Sequence, residues 1–215
     1  MAIFNMVYKN RPPRGPWEDT YLYRPLVSNA NDKSWLNNNG TINWTVTWND
    51  WAVFDWSWQI SSPITSFPSS NFTISCWVYK TQNSTSEQIL FWRWANDNYL
   101  KVGMSYDWNW NLRAWRWYYP NLNWEWVWNY WYNSWHNIIY VKNSPSSITV
   151  YVDGVQKASY TSDWSDGSSY NLWIWWWTSS NRSFRWTIRE FIFEIKWRSS
   201  TNVSQYYNLT KWMFS

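Results

Sequence analysis

The chain has 215 residues, a net charge of +4, 27 Trp and only 5 Gly. That length suits one domain. A mild positive charge without a run of five or six like charges excludes a nucleic-acid-binding tail, and no apolar stretch approaches the roughly 20 residues of a membrane helix. Cys76 stands alone, which excludes an intramolecular disulfide, and His136 stands alone, which excludes a His-rich metal site.

Residues 1–19, MAIFNMVYKNRPPRGPWED, read as a leader or linker, because Pro12, Pro13, Gly15 and Pro16 break any regular element. Their Lys and Arg follow the apolar start, the wrong order for a secretion signal. The domain is expected to occupy residues 20–215. Period-two runs follow. In FTISCWVY, Phe72, Ile74, Cys76 and Val78 alternate with Thr73, Ser75, Trp77 and Tyr79, so Cys76 is expected to face a core. WHNIIYVKN and SITVYVDGVQKASY alternate likewise, and Asp153-Gly154 between two β-rich runs is a strong hairpin signal. FRWTIREFIFEIKW gives one more long strand, and STNVSQYYNLT, residues 200–210, is the one stretch suited to a short helix. About a dozen strands with almost no helix and no fixed-period repeat predict an all-β fold, an antiparallel β-sandwich jelly roll.

The tryptophans collect at turns: FDWSWQ (54–59), FWRWANDN (91–98), YDWNWNL (106–112), SDWSDGS (162–168) and WIWWW (173–177). Turns that follow Asp or Asn ask for positive φ at the next position, which Gly supplies and aromatic residues resist. With Gly in those places the segments become ordinary turn sequences. So altered, the chain resembles the laminin-G-like, concanavalin-A-like jelly-roll domains of the lectin/glucanase class. YLYRPLVSNANDKS resembles their first strand and Asn/Asp-rich turn, and AVFDWSWQI their Phe-Asp-Gly-Ser-Gly segment. FTISCWVY, SWHNIIYV, ITVYVDGVQKAS and LWIWWWTSSNRSFRWTIREFIF resemble four later family segments in the same order. The resemblance runs from about Thr20 to Lys211. The departures are almost all Trp in place of family Gly, the pattern produced when a gene whose code assigns UGA to glycine is translated with UGA as tryptophan.

The same fold hosts glucanases, whose acid and nucleophile sit two residues apart on one strand. No Glu-x-Asp-x-Glu occurs here. Glu190 and Glu194 are expected on one strand face but four residues apart, about 13 Å by strand rise, beyond the roughly 5–9.5 Å that glycoside hydrolysis uses. One is read as a structural strand residue and the other as a solvated charge. His136 is expected to pack or hydrogen-bond rather than catalyse, and Cys76 to be buried and inert. The aromatic loop at 117–126 is the candidate ligand surface: Tyr118, Tyr119 and Trp124 offer flat faces to a sugar, and Asn121, Asn123 and Glu125 offer hydrogen bonds. The resemblance also implies a calcium ion in the rim loops, for which Asp97, Asp107, Asp163 and Asp166 are the candidates. LRAWRWYY loses its likeness to a single-strand nucleic-acid platform if Trp115 and Trp117 stand for Gly. The expected function is a non-catalytic recognition or adhesion module that binds a glycan or protein at a cell or virion surface. The alternatives are a structural or virion-assembly domain without a ligand and, behind it, a glycoside hydrolase.

The gene checks the Trp–Gly inference directly. UGA codons are expected at Trp56, Trp58, Trp175, Trp176 and Trp177, and UGG at Trp77 and Trp135, where the family itself has Trp; UGG throughout refutes it. A second protein with Gly at positions 56, 58, 108, 110, 164, 175, 176, 177 and 186 is expected to be soluble with a cooperative unfolding transition, and the printed chain to be molten or insoluble. Strain of about 1 kcal/mol per site across these positions rivals the roughly 5–15 kcal/mol that holds a domain folded.

Overall fold

The structure, a computed structural model, describes residues 20–24, 41–43, 47–48, 52–55, 59–62, 71–80, 88–93, 101–106, 111–118, 121–129, 133–144, 147–161, 172–174 and 185–214. The leader expected at 1–19 lies outside them. Short strands come first: β1 (Thr20–Arg24), β2 (Thr41–Asn43), β3 (Thr47–Trp48), β4 (Ala52–Asp55) and β5 (Gln59–Ser62). Longer ones follow: β6 (Phe72–Lys80), β7 (Gln88–Arg93), β8 (Lys101–Tyr106), β9 (Asn111–Tyr118), β10 (Asn121–Asn129), β11 (Trp135–Ser144), β12 (Ser147–Val152) and β13 (Val155–Thr161). The chain closes with β14 (Leu172–Ile174), β15 (Arg185–Glu194), helix α1 (Ser200–Thr210) and a 3₁₀ turn, Lys211–Met213.

Among the described residues the strands form two antiparallel sheets. An eight-stranded sheet runs β13-β12-β11-β6-β15-β4-β3, with β1 added to β15, and a seven-stranded sheet runs β10-β9-β8-β7-β14-β5-β2. Strands far apart in sequence are neighbours, as in β6 between β11 and β15. The all-β sandwich expected from the sequence is the fold observed.

Register sorts the residues of the larger sheet. Phe72, Ile74, Cys76 and Val78 lie opposite Lys142, Tyr140, Ile138 and His136. This face meets the smaller sheet: the ring of Phe91 in β7 sits edge-on to Tyr140, centroids 5.8 Å apart, and to Phe191 at 6.5 Å. Cys76 is fully buried in this layer, and burial pushes its thiol pKa far up, so it is an inert core residue as expected. The opposite face carries Thr73, Ser75, Trp77 and Tyr79 against Val141, Ile139, Asn137 and Trp135.

That second face is covered by α1. The helix starts where Ser199 accepts a bond from Asn202 N–H at 3.2 Å, an N-cap. Its buried residues are Val203, Tyr206 and Thr210, spaced three and four apart as one helix stripe requires. Val203 and Tyr206 close a cluster with Ile139, Val141, Tyr151 and Ile192 of the sheet. Full burial of side chains of this size contributes about 1.5–3 kcal/mol each.

One expectation about β15 is corrected. Between Arg189, opposite Trp77, and Ile192, opposite Ser75, the register shifts, so Glu190 and Phe191 face the span of Cys76 alone. Glu190 sits at φ 54° in this bulge. An inserted residue resets the alternation, and the assignment of Glu190 and Glu194 to one face by counting fails there. Neither is a solvated charge. Glu190 is 5% exposed and Glu194 fully buried, and Glu194 takes both Nε (2.9 Å) and an outer nitrogen (2.6 Å) of Arg198. A carboxylate removed from water needs such a bidentate partner.

The expected hairpin is present. Val152 pairs with Val155, leaving Asp153 (φ 53°) and Gly154 (φ 75°) as a two-residue turn. Two positive φ angles are what the primed hairpin turn requires. A Cβ on Gly154 would stand 3.0 Å from Cδ1 of Tyr207 in α1. Gly154→Ala is therefore expected to destabilise the fold by about 1–3 kcal/mol, from both backbone strain and loss of the helix contact. An unchanged urea midpoint would show that the helix does not need this approach.

Candidate functional site

The site is built on the Asp153-Gly154 turn. Asp153 donates its N–H to the carbonyl of Asn137 at 2.9 Å. Its carboxylate accepts from Asn137 N–H at 2.9 Å and pairs with His136 Nδ1 at 2.7 Å. A carboxylate only accepts, so Nδ1 carries the hydrogen; in the neutral ring Nε2 then accepts from the Ser134 hydroxyl, 2.8 Å away. Serine, histidine and carboxylate stand here in the order that acyl-transfer enzymes use. His136, however, is only 9% exposed and lies in the inter-sheet layer opposite Val78. The three groups clamp the turn to the start of β11, the hydrogen-bonding role expected for His136.

The turn in turn seats the helix. Ser204 donates its hydroxyl to the Gly154 carbonyl at 3.0 Å, and the side chain of Tyr207 lies against Gly154. Tyr207 stacks on Trp77 with centroids 5.8 Å apart, and Phe214 stacks on the same indole at 4.2 Å. Phe214 also meets Trp135 at 5.0 Å, and Trp135 meets Tyr79 at 5.4 Å. These rings wall a cavity of about 800 Å³, within the range of about 300–1,000 Å³ usual for ligand pockets. Asn133 and Ser134 close one side, and Lys211, Trp212 and Met213 the other. Trp212 is 48% exposed and donates its indole N–H to Leu209 O at 2.7 Å. The Lys211 ammonium lies 5.6 Å from the centre of the Tyr207 ring.

Trp77, one of the wall residues, belongs to a row of polar groups that crosses the larger sheet. Arg189, Trp77 and Asn137 occupy matching positions on β15, β6 and β11. Each holds one buried side-chain atom without a hydrogen-bond partner: Arg189 Nε, Trp77 Nε1 and Asn137 Oδ1. Buried polar atoms are nearly always paired, so three orphans in one line mark this as an unusual place.

The residues expected to bind ligand are elsewhere. The 117–126 segment is a hairpin of β9 and β10, in which Asn121 pairs with Tyr118, Asn123 with Arg116, Trp124 with Trp115 and Glu125 with Ala114. Tyr119 lies outside the described residues, as do the calcium candidates Asp97, Asp107, Asp163 and Asp166. Among the described residues no three His, Cys, Asp or Glu groups come together as a metal site, and no helix is long and apolar enough to cross a membrane. The pocket residues Tyr207, Lys211, Trp212 and Phe214 carried a sequence signal, aromatic residues in and just after the expected helix, but nothing local joins them to Trp77, more than a hundred residues away.

No family model matches the chain, and no curated protein matches it. Solved structures share its fold. The chain is similar to domain 4 of AbnA, an extracellular arabinanase of Geobacillus stearothermophilus determined in complex with arabinotriose: TM-score 0.70 and 19% identity, over 87% of this chain and 97% of that domain. It is similar to the sialidase of Trypanosoma rangeli, TM-score 0.74 and 14% identity, over 92% of this chain and 34% of the sialidase. It is also similar to the binding domain of botulinum neurotoxin serotype G, TM-score 0.71 and 16% identity, over 89% of this chain and 51% of that one. It thus spans about a third of the sialidase chain and half of the toxin chain. At these identities the likeness establishes the fold.

The phenol of Tyr207 is pushed above its ordinary value, first by burial and then by the negative charge of Asp153. An unfolded phenol ionises near pH 10. The associated stability is therefore complete below about pH 10 and is lost as pH rises through the higher folded value. In a difference titration against Tyr207→Phe, Asp153→Asn is expected to bring the Tyr207 transition back toward the ordinary phenol. No movement would remove the charge of Asp153 as a cause.

Proposed function

We propose that this chain is a non-catalytic recognition module of the laminin-G-like class, and that it holds a saccharide in the aromatic pocket between β6, β11 and the C-terminal turn. The observation that carries the proposal is the pocket itself. Flat rings of Trp77, Tyr79, Trp135 and Phe214 stand beside polar groups of Asn133, Ser134 and Lys211. Sugar rings present C–H faces that pack on aromatic surfaces and hydroxyls that need hydrogen-bond partners, the pairing a small-ligand site supplies. Further support comes from the arabinanase domain, whose length this chain nearly matches and which was determined with arabinotriose bound. The toxin binding domain is a second member of the same architecture that serves binding. On this proposal the module works outside the cell, on a cell or particle surface, and the excess Trp reflects Gly codons read through the standard code.

A panel of immobilised glycans tests the proposal with Trp212→Ala, Tyr118→Ala and Trp124→Ala beside the unaltered chain. Trp212 is half-exposed at the pocket mouth, so its removal is expected to leave the fold intact and to weaken binding about tenfold, the loss usual for one stacked aromatic contact. The two hairpin variants are expected to bind as the parent does. Losses confined to Tyr118→Ala and Trp124→Ala would move the site to the β9–β10 hairpin. No binding by the folded parent would favour a structural or assembly domain.

A further inference from the structure

We propose that Ser134 sets the specificity of the pocket. Asp153, acting through His136, holds the Ser134 hydroxyl as a hydrogen-bond acceptor toward the ligand. The pocket then takes a saccharide with an unsubstituted hydroxyl at this wall and turns away one etherified or acylated there; this rests on the saccharide proposal above. The Asp153 carboxylate can only accept. It takes Asn137 N–H on Oδ1 at 2.9 Å and His136 Nδ1 on Oδ2 at 2.7 Å. The imidazole proton is therefore drawn to Nδ1. Nε2 of the neutral ring is left as an acceptor and takes the hydrogen of Ser134, whose oxygen is 2.8 Å away.

Ser134 is half-buried and lines the pocket. A hydroxyl has one hydrogen and two lone pairs. With the hydrogen committed to His136, the oxygen meets a ligand as an acceptor. The neighbouring polar groups of the wall carry no such instruction: the exposed Asn133 amide holds both donors and an acceptor, and Lys211 only donates. A sugar hydroxyl suits Ser134 because it can donate. An ether or ester oxygen in the same place sets lone pairs against lone pairs, and an unmatched buried acceptor costs more than one bond contributes. Asp153 and His136 are positioning residues, since neither lines the pocket. Asp153→Asn reverses their effect without removing the contacts. The new amide keeps its oxygen on Asn137 N–H and turns its NH2 to His136 Nδ1, which must then accept. The ring proton moves to Nε2 and points at Ser134, whose own hydrogen turns toward the ligand. The backbone at this position, φ 53°, suits asparagine as well as aspartate, so the turn is kept.

Two readouts test this on the whole chain, Ser134→Ala and Asp153→Asn, with unfolding midpoints to confirm each fold. Nitrogen NMR of the imidazole at pH 8 locates the ring proton, without ambiguity because His136 is the only histidine. Calorimetry uses the glycan that binds best on the panel above, intact and with each hydroxyl in turn replaced by hydrogen or by fluorine, which accepts weakly and cannot donate. The unaltered chain is expected to carry the proton on Nδ1 and to bind both analogues about tenfold more weakly at one hydroxyl position. Ser134→Ala is expected to bind all three forms alike at that position and to keep any losses elsewhere. Asp153→Asn is expected to carry the proton on Nε2 and, at that position, to bind the fluorinated form better than the deoxygenated one. A proton on Nε2, or on both nitrogens, in the unaltered chain overturns the proposal. So does a penalty that survives Ser134→Ala, or a proton that moves in Asp153→Asn while the two analogues stay equal; each of these leaves a saccharide site in place. Silence of the folded chain toward every glycan overturns the saccharide proposal and this one with it.

Discussion

The Asp153 carboxylate is the constraint on which the rest of this structure depends. A two-residue hairpin with positive φ at both positions is cheap for Gly and costly for most other residues. Here the strained first position is filled by an aspartate whose backbone and side chain both bond to the start of β11. The neighbouring strand end is thereby fixed, His136 is held in one orientation, and the only φ-tolerant residue type, Gly154, is free to let an aromatic ring approach. The turn makes the hairpin, and it also prepares a landing place for the helix.

From that contact the aromatic wall is assembled in sequence. Tyr207 lies on Gly154 and stacks on Trp77, Trp77 stacks on Phe214, and Phe214 leans on Trp135. Offset and tilted ring pairs add about 0.5–1.5 kcal/mol each beyond the area they bury, so the C-terminal turn is held by several modest contacts rather than by one strong one. The same arrangement leaves three polar atoms of the sheet without partners. A few residues further along, the same strand pairs its buried carboxylate Glu194 with Arg198 through two bonds.

Much of the fold was legible because it rests on short-range physics. Period-two alternation in residues 72–79 placed Cys76 in the inter-sheet core, the Asp-Gly pair marked its hairpin, and the run at 200–210 gave a helix. Where counting failed, the cause was a single inserted residue. The bulge at Glu190 breaks the alternation, and no local pattern announces it. The candidate ligand residues at 117–126 fall on the β9–β10 hairpin, whereas the aromatic pocket is walled by residues of β6, β11 and the C-terminal turn, which no local pattern draws together.

By itself the sequence determined the class of the molecule: strand-length alternating runs, a primed turn and too little helix-forming pattern admit an antiparallel sandwich and little else. It also determined that Trp77 would sit opposite Cys76 in facing direction, since neighbours on a strand point apart. Only the tertiary structure decided what meets Trp77 on that other side. Tyr207 and Phe214 arrive from 130 and 137 positions along the chain, brought there by the Gly154 contact and the sheet order β11-β6-β15. A pocket made by such long-range closure has no signature in any local window, because its walls become neighbours only when the sheet and the helix have found each other.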